Sequence, residues 1–131
     1  MTPLRLILTP GQPIVDQVVF AAIKAFVSGR MLPGDPFPSV RGLAAELKIN
    51  PNTAAKAVQA LIQEGWLEAA PGKGAVVARR PAPKAGDRQR LLQHEVDHLV
   101  VEARRVGLDQ KDLHTAIDAR WRALDSDGGD T

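Results

Sequence analysis

FPSVRGLAAELKINPNTAAKAVQALIQEGWLEAAPGKGAVVA, residues 37–78, reads as an unbroken succession of short elements. Ser39 is a suitable N-cap, because its hydroxyl can accept a first-turn N–H, and Val40, Leu43, Ala44 and Leu47 then recur on one helical face. Lys48-Ile49-Asn50 makes a turn. Asn50 caps a second helix whose first residue is Pro51, a position where the missing N–H costs nothing. Ala54, Val58, Leu61 and Ile62 give this helix its inward face, and Gly65 ends it as a left-handed cap. Residues 66–70 and 75–78 flank Pro71-Gly72-Lys73-Gly74 and read as a β-hairpin with short strands.

Outward from this stretch, the signals weaken in both directions. On the N-terminal side, Leu4 to Leu8 suits a short strand or a docked arm. Pro13 opens a helix with Ile14, Val18, Ala22, Ile23, Phe26 and Val27 at three-to-four spacing, and Gly29 closes it. Three prolines within residues 33–38 forbid a helix there. On the C-terminal side, residues 81–86 form a linker rich in proline. A long helical pattern runs from Asp87 through Leu91, Leu92, Val96, Leu99, Val100, Ala103 and Val106 to a break at Gly107. Asp109 caps a last helix carrying Leu113, Ile117, Trp121 and Leu124, and the polar residues 126–131 suit a disordered tail. The predicted organisation is a head over residues 1–80, a linker over 81–86, a helical region over 87–125 and the tail.

Composition limits the function classes. The chain has 131 residues and no cysteine, which excludes disulfides, thiolate catalysis and cysteine-ligated metal, and suits a reducing compartment. No apolar run approaches the ~20 residues of a membrane span, and the N-terminus lacks signal-peptide character, so a soluble cytoplasmic protein is expected. The net charge of +2 is unevenly divided. Residues 1–80 hold nine Lys/Arg against five Asp/Glu, a surplus of four, whereas residues 81–131 hold eight against ten. A positive head and a negative appendage suit a polyanion-binding domain with a non-binding tail.

The head has the chemistry to read a DNA groove. Helix, turn, helix and hairpin in this order form a winged helix-turn-helix, in which the second helix enters the major groove. Asn50, Asn52, Thr53 and Lys56 offer polar groups at that helix start, and Ala55 and Ala57 are expected to keep its outer face slim. Asn pairs with adenine, Thr bonds a base or phosphate, and Lys reaches guanine or phosphate. Free N–H groups at the helix start would favour a phosphate. Ser39 and Arg41 on the preceding helix, and Gly72, Lys73 and Gly74 at the bare basic hairpin tip, complete the expected contact set.

The runs Pro-Ser-Val-Arg-Gly-Leu-Ala (38–44), Ile-Asn-Pro-Asn-Thr (49–53), Leu-Ile-Gln-Glu-Gly-Trp-Leu (61–67) and Gly-Lys-Gly (72–74) resemble the GntR family of bacterial transcription regulators. Asn-Pro-Asn-Thr, with Pro13-Ile14-Val15-Asp16-Gln17, resembles its YtrA-like subfamily. The resemblance spans about residues 12–80. It implies DNA contacts at Arg41, Thr53, Lys56 and the wing tip, a repressor without enzymatic activity, and an operon often linked to a transporter. Two departures, Pro36-Phe37 for a usual Lys-Leu and Ala54 with Val58 on the inner face, touch no expected contact.

The fold class that follows is mostly α (α+β): an N-terminal winged helix-turn-helix with a hairpin wing, then two C-terminal helices. The resemblance implies that those helices build a homodimer, and a twin pair is also an economical partner for two apolar stripes. The expected partner is double-stranded DNA with a palindromic operator, with half-sites about one helical turn or a multiple apart. No cofactor, no catalytic residue and no effector are assigned. A winged-helix protein-interaction module is the alternative, and single-strand binding lacks the exposed aromatics that stack bases. His94-Glu95-Val96-Asp97-His98 spells the His-Glu-x-x-His run of zinc proteases. Val96 and Leu99 already belong to the apolar stripe and no Gly-x-x-His continuation follows, so a metal-responsive regulator using His94 and His98 is a lesser alternative to a plain surface.

Overall fold

The computed structural model describes residues 4–72 and 74–129, with side chains described as far as residue 126. It divides into two compact units, one built from residues up to Pro81 and one from Ala82–Asp125.

In the first unit, α1 (Ile14–Val27) starts at Pro13 without a side-chain cap. Gln17 substitutes for one: its carboxamide accepts from Thr9 N at 2.7 Å and donates to the Thr9 and Gln12 carbonyls. Leu4 is buried, but no strand forms over residues 4–8, so this segment is the docked arm. Val18, Ala22 and Phe26 fill the inner stripe of α1, whereas Ile14 and Val27, expected on the same stripe, lie at its exposed margin. The arc of a helix that one small core can cover is narrower than the apolar pattern.

The second helix, α2 (Val40–Leu47), is capped by Ser39, whose Oγ accepts from Gly42 N at 3.0 Å. A Cβ on Gly42 would stand 3.1 Å from that oxygen, so glycine lets the cap close. The turn after α2 needs a left-handed residue, and Lys48 supplies it at φ 56°. The third helix, α3 (Pro51–Gln63), begins at Asn50, whose Oδ1 accepts from Asn52 N at 2.7 Å. It ends at Gly65, φ 85°, with Trp66 N donating to the Leu61 carbonyl.

The strands β1 (Leu67–Ala70) and β2 (Gly74–Val77) pair antiparallel, from Leu67 opposite Val77 to Ala70 opposite Gly74. The proline-rich loop also joins this hairpin. Gly34 N donates to the Val77 carbonyl, Val77 N to that of Asp35, and Phe37 N to that of Ala75. Pro36 lacks an N–H and lies on this outer edge opposite Val76, where strand prolines are tolerated. Beneath the hairpin, Phe26 stacks on Trp66 at 5.9 Å and meets Phe37 edge-on at 6.2 Å. Leu43, Ala54, Ala57, Leu61 and Leu67 close the core between the helices and the sheet.

The second unit is helical. Asp87 ties its start, accepting from Lys84 N at 2.7 Å. The helical path runs through α4 (Asp87–Arg90), a π-helical turn (Leu91–Glu95) and α5 (Val96–Arg105), and ends at Gly107, φ 84°. Asp109 and Asp112 cap α6 (Gln110–Gly129) reciprocally, each carboxylate accepting the other's N–H at 2.9 and 3.0 Å. The α6 backbone is helical as far as Gly129, past Ser126, where the sequence suggested a tail. Residues 130 and 131 lie outside the described residues.

Candidate nucleic-acid interface

The helix-turn-helix places α3 with its inner side packed and its outer side open. Ala54, Ala57, Val58 and Leu61 are buried, while Asn52, Lys56, Gln59 and Gln63 are exposed at spacings of four, three and four residues. Such spacing keeps the four side chains on one face. Asn52 and Lys56 were expected there. Gln59 and Gln63 extend the same stripe and were missed by the sequence reading, although their distance from Asn52 was the available signal. Glutamine, like asparagine, can pair bidentately with adenine.

Several expectations need adjustment. Ala57 faces the core and does not slim the outer face; Ala55, half-buried at its edge, does. Thr53 is also half-buried, to the side of the stripe. The helix start is poorer in free donors than expected. Pro51 has no N–H and the Asn52 N–H is taken by Asn50, which leaves the Thr53 N–H as the first-turn donor without an acceptor among the described residues. An anion at this end would therefore depend on side chains more than on backbone.

Ser39 and Asn50 are exposed, and each spends its side-chain oxygen on a cap. The Ser39 hydroxyl hydrogen and the Asn50 amide hydrogens remain available to an outside acceptor. Arg41 is exposed in the first turn of α2. Among the described residues, neither Arg41 nor Lys56 is held in an ion pair, and α3 contains no acidic residue from Pro51 to Gln63. Both cations are thus free to meet a phosphate. At the hairpin tip, Gly72 and Gly74 adopt φ 78° and 75° in open space, a conformation that side chains resist, so glycine is required at both. Lys73 lies outside the described residues.

A model of bacterial regulatory proteins of the gntR family matches residues 16–77. The chain is also 30% identical over 106 residues to the HTH-type transcriptional repressor YtrA of Bacillus subtilis, covering 80% of this chain and 82% of that protein. The chain belongs to the GntR family. Its members regulate transcription by binding DNA rather than by catalysis, and this GntR protein is a winged-helix DNA-binding transcription regulator. A transcriptional antiterminator from Listeria monocytogenes EGD-e shares the fold, with a TM-score of 0.77 over 92% of this chain and 91% of its own at 22% identity. YtrA from Sulfolobus acidocaldarius, a GntR-family transcription factor, gives a TM-score of 0.58 at 26% identity over 72% of this chain and 97% of its own.

Proposed function

We propose that this GntR regulator is a cytoplasmic homodimeric repressor that binds a palindromic operator in its own, transporter-linked operon. The observation that carries the reading is the exposed polar stripe of α3, beside two unpaired cations, on a helix whose opposite side is locked into a core. Each head presents Asn50, Asn52, Thr53 and Lys56 to the major groove. Ser39 and Arg41 grip the flanking backbone from α2, and the wing tip Gly72, Lys73 and Gly74 approaches the adjacent phosphates or minor groove.

The second unit supports the dimer. Leu99, Val100, Ile117 and Trp121 are exposed on α5 and α6, and Leu99, Ile117 and Trp121 line an open groove of about 310 Å³ whose exposed surface is almost wholly apolar. A second copy covers this face at the least cost, since full burial of each large apolar side chain contributes about 1.5–3 kcal/mol. Two heads related by a two-fold axis then match two half-sites.

Selection of bound duplexes from random DNA, followed by anisotropy titration, tests the reading. The selected site is expected to be palindromic, and affinity to fall steeply with salt as counterions are released. Arg41→Ala is expected to weaken specific binding by about 1–3 kcal/mol. Salt-independent binding, or an asymmetric site occupied by a single copy, would refute it.

A further inference from the structure

The His-Glu-x-x-His run lies outside the residues assigned above to DNA reading, yet the structure gives it a distinctive setting. His94 sits in the π-helical turn and His98 in the first turn of α5, with ring centroids 4.5 Å apart and both residues exposed. His94 Nε2 lies 3.9 Å from Glu95 Oε1. From His94 to Glu102 the chain carries Glu95, Asp97 and Glu102 and no Lys or Arg. Only Glu102 is neutralised, by Arg105 at 2.6 Å. Arg90, one turn before His94, is paired with Asp87 at 3.2 Å, so the unpaired charges nearest the two rings along the chain are acidic.

The π turn is a second, independent feature. Neither proline nor glycine occurs between Leu91 and Glu95 to force it. Single π turns are rare and concentrate at functional sites. This one contains His94, whose ring lies beside that of His98. The pair also faces away from the apolar groove. Val96, Leu99, Val100 and Ala103 share one side of α5, and His98 is about half a turn from them at ~100° per residue. A second copy seated on the groove leaves both rings accessible.

We infer that His94 and His98 together chelate one borderline divalent transition cation per chain, of the Zn²⁺ or Ni²⁺ class, with water completing the coordination. Neutral imidazoles one turn apart offer two nitrogen donors that suit these ions, whereas Mg²⁺ and Ca²⁺ prefer oxygen. Glu95 and Asp97 add negative charge without being needed as ligands. Among the described residues no group of three His, Cys, Asp or Glu side chains converges, so this is a two-donor, exchangeable site and not a protease centre. An ion held here staples the π turn to α5, joining two stretches of different helical pitch.

The test is calorimetric titration of the tag-free full chain with ZnCl₂ and with NiCl₂ in a non-chelating buffer, MgCl₂ serving as control. One saturable site per chain is expected for zinc and nickel and none for magnesium. His94→Ala and His98→Ala are each expected to weaken binding at least about tenfold, since one donor of two is lost. Histidine ring NMR signals of residues 94 and 98 should move during the titration while that of His114 stays. Absence of saturable binding, binding that survives both substitutions, or a response centred on His114 would overturn the assignment. The assignment does not rest on the DNA reading, because every readout is made without DNA.

Discussion

The head and the helical appendage treat apolar residues in opposite ways. In the head, Leu43, Leu61, Leu67 and Val18 are almost completely buried, and the exposed side of α3 is polar. In the appendage, Ala103 is the sole buried apolar residue among those described, while Leu92 and Trp121 are about 70% exposed. A small three-helix core with a hairpin closes on itself, although Ile7, Phe20 and Leu32 stay outside it. The two successive helices of the appendage keep much of their apolar stripes open among the described residues. A domain needs packed layers around one core, and the appendage has only half of one.

The largest test of this contrast is Leu61→Ala. Leu61 is fully buried on the inner face of α3, so its truncation should cost the head about 2–5 kcal/mol, read by thermal or urea unfolding. The same size of change in the appendage should act elsewhere. Trp121→Ala is expected to leave the unfolding of the head unchanged and to weaken self-association by about 2 kcal/mol or more, read by sedimentation equilibrium or light scattering across a dilution series. A strictly monomeric parent protein would break the comparison outright.

A smaller effect separates fold from contact within the head. Asn50→Ala removes the cap on Asn52 N and should cost about 1 kcal/mol of stability, whereas Asn50→Asp keeps the cap oxygen and the stability. If Asn50 also meets DNA, Asn50→Asp should still lose operator affinity through its added negative charge. The smallest expected change is a gain. Lys48 holds a left-handed conformation that costs a side-chain-bearing residue about 1–2 kcal/mol, and glycine returns about 0.4–1 through the unfolded chain. Lys48→Gly should therefore raise stability by about 0.5–1 kcal/mol in urea unfolding. An unchanged midpoint would show that the turn is relaxed around lysine.

Much of this was legible in the residues. Ser39, Asn50 and Gly65 marked helix ends correctly because caps act within a few residues, and Asp109 marked the start of α6 for the same reason. The left-handed role of Lys48 was not legible, since lysine carries no turn signal and the strain is imposed by the packing of α2 against α3. The proline-rich loop was correctly excluded from helix, but its bonding to β2 was hidden, because a strand edge forms with whatever backbone the fold brings alongside. Gln59 carried little signal in the sequence for a simpler reason: a single mid-helix glutamine reads as an ordinary solvated residue until the buried side of α3 is known. Ala57 was misplaced because a small residue looks the same on either face.

By itself, then, the sequence determined the order of elements, the local caps, the charge division between head and appendage, and the family. These depend on short-range patterns: which residue can cap, which cannot be helical, and which period the apolar residues keep. Tertiary structure alone decided which side of α3 remains outside, where Lys48 is strained, how the loop before α2 edges the hairpin, and that His94 and His98 meet across a π turn. Those outcomes depend on how separate segments compete for one small core and on backbone geometry that no local pattern encodes.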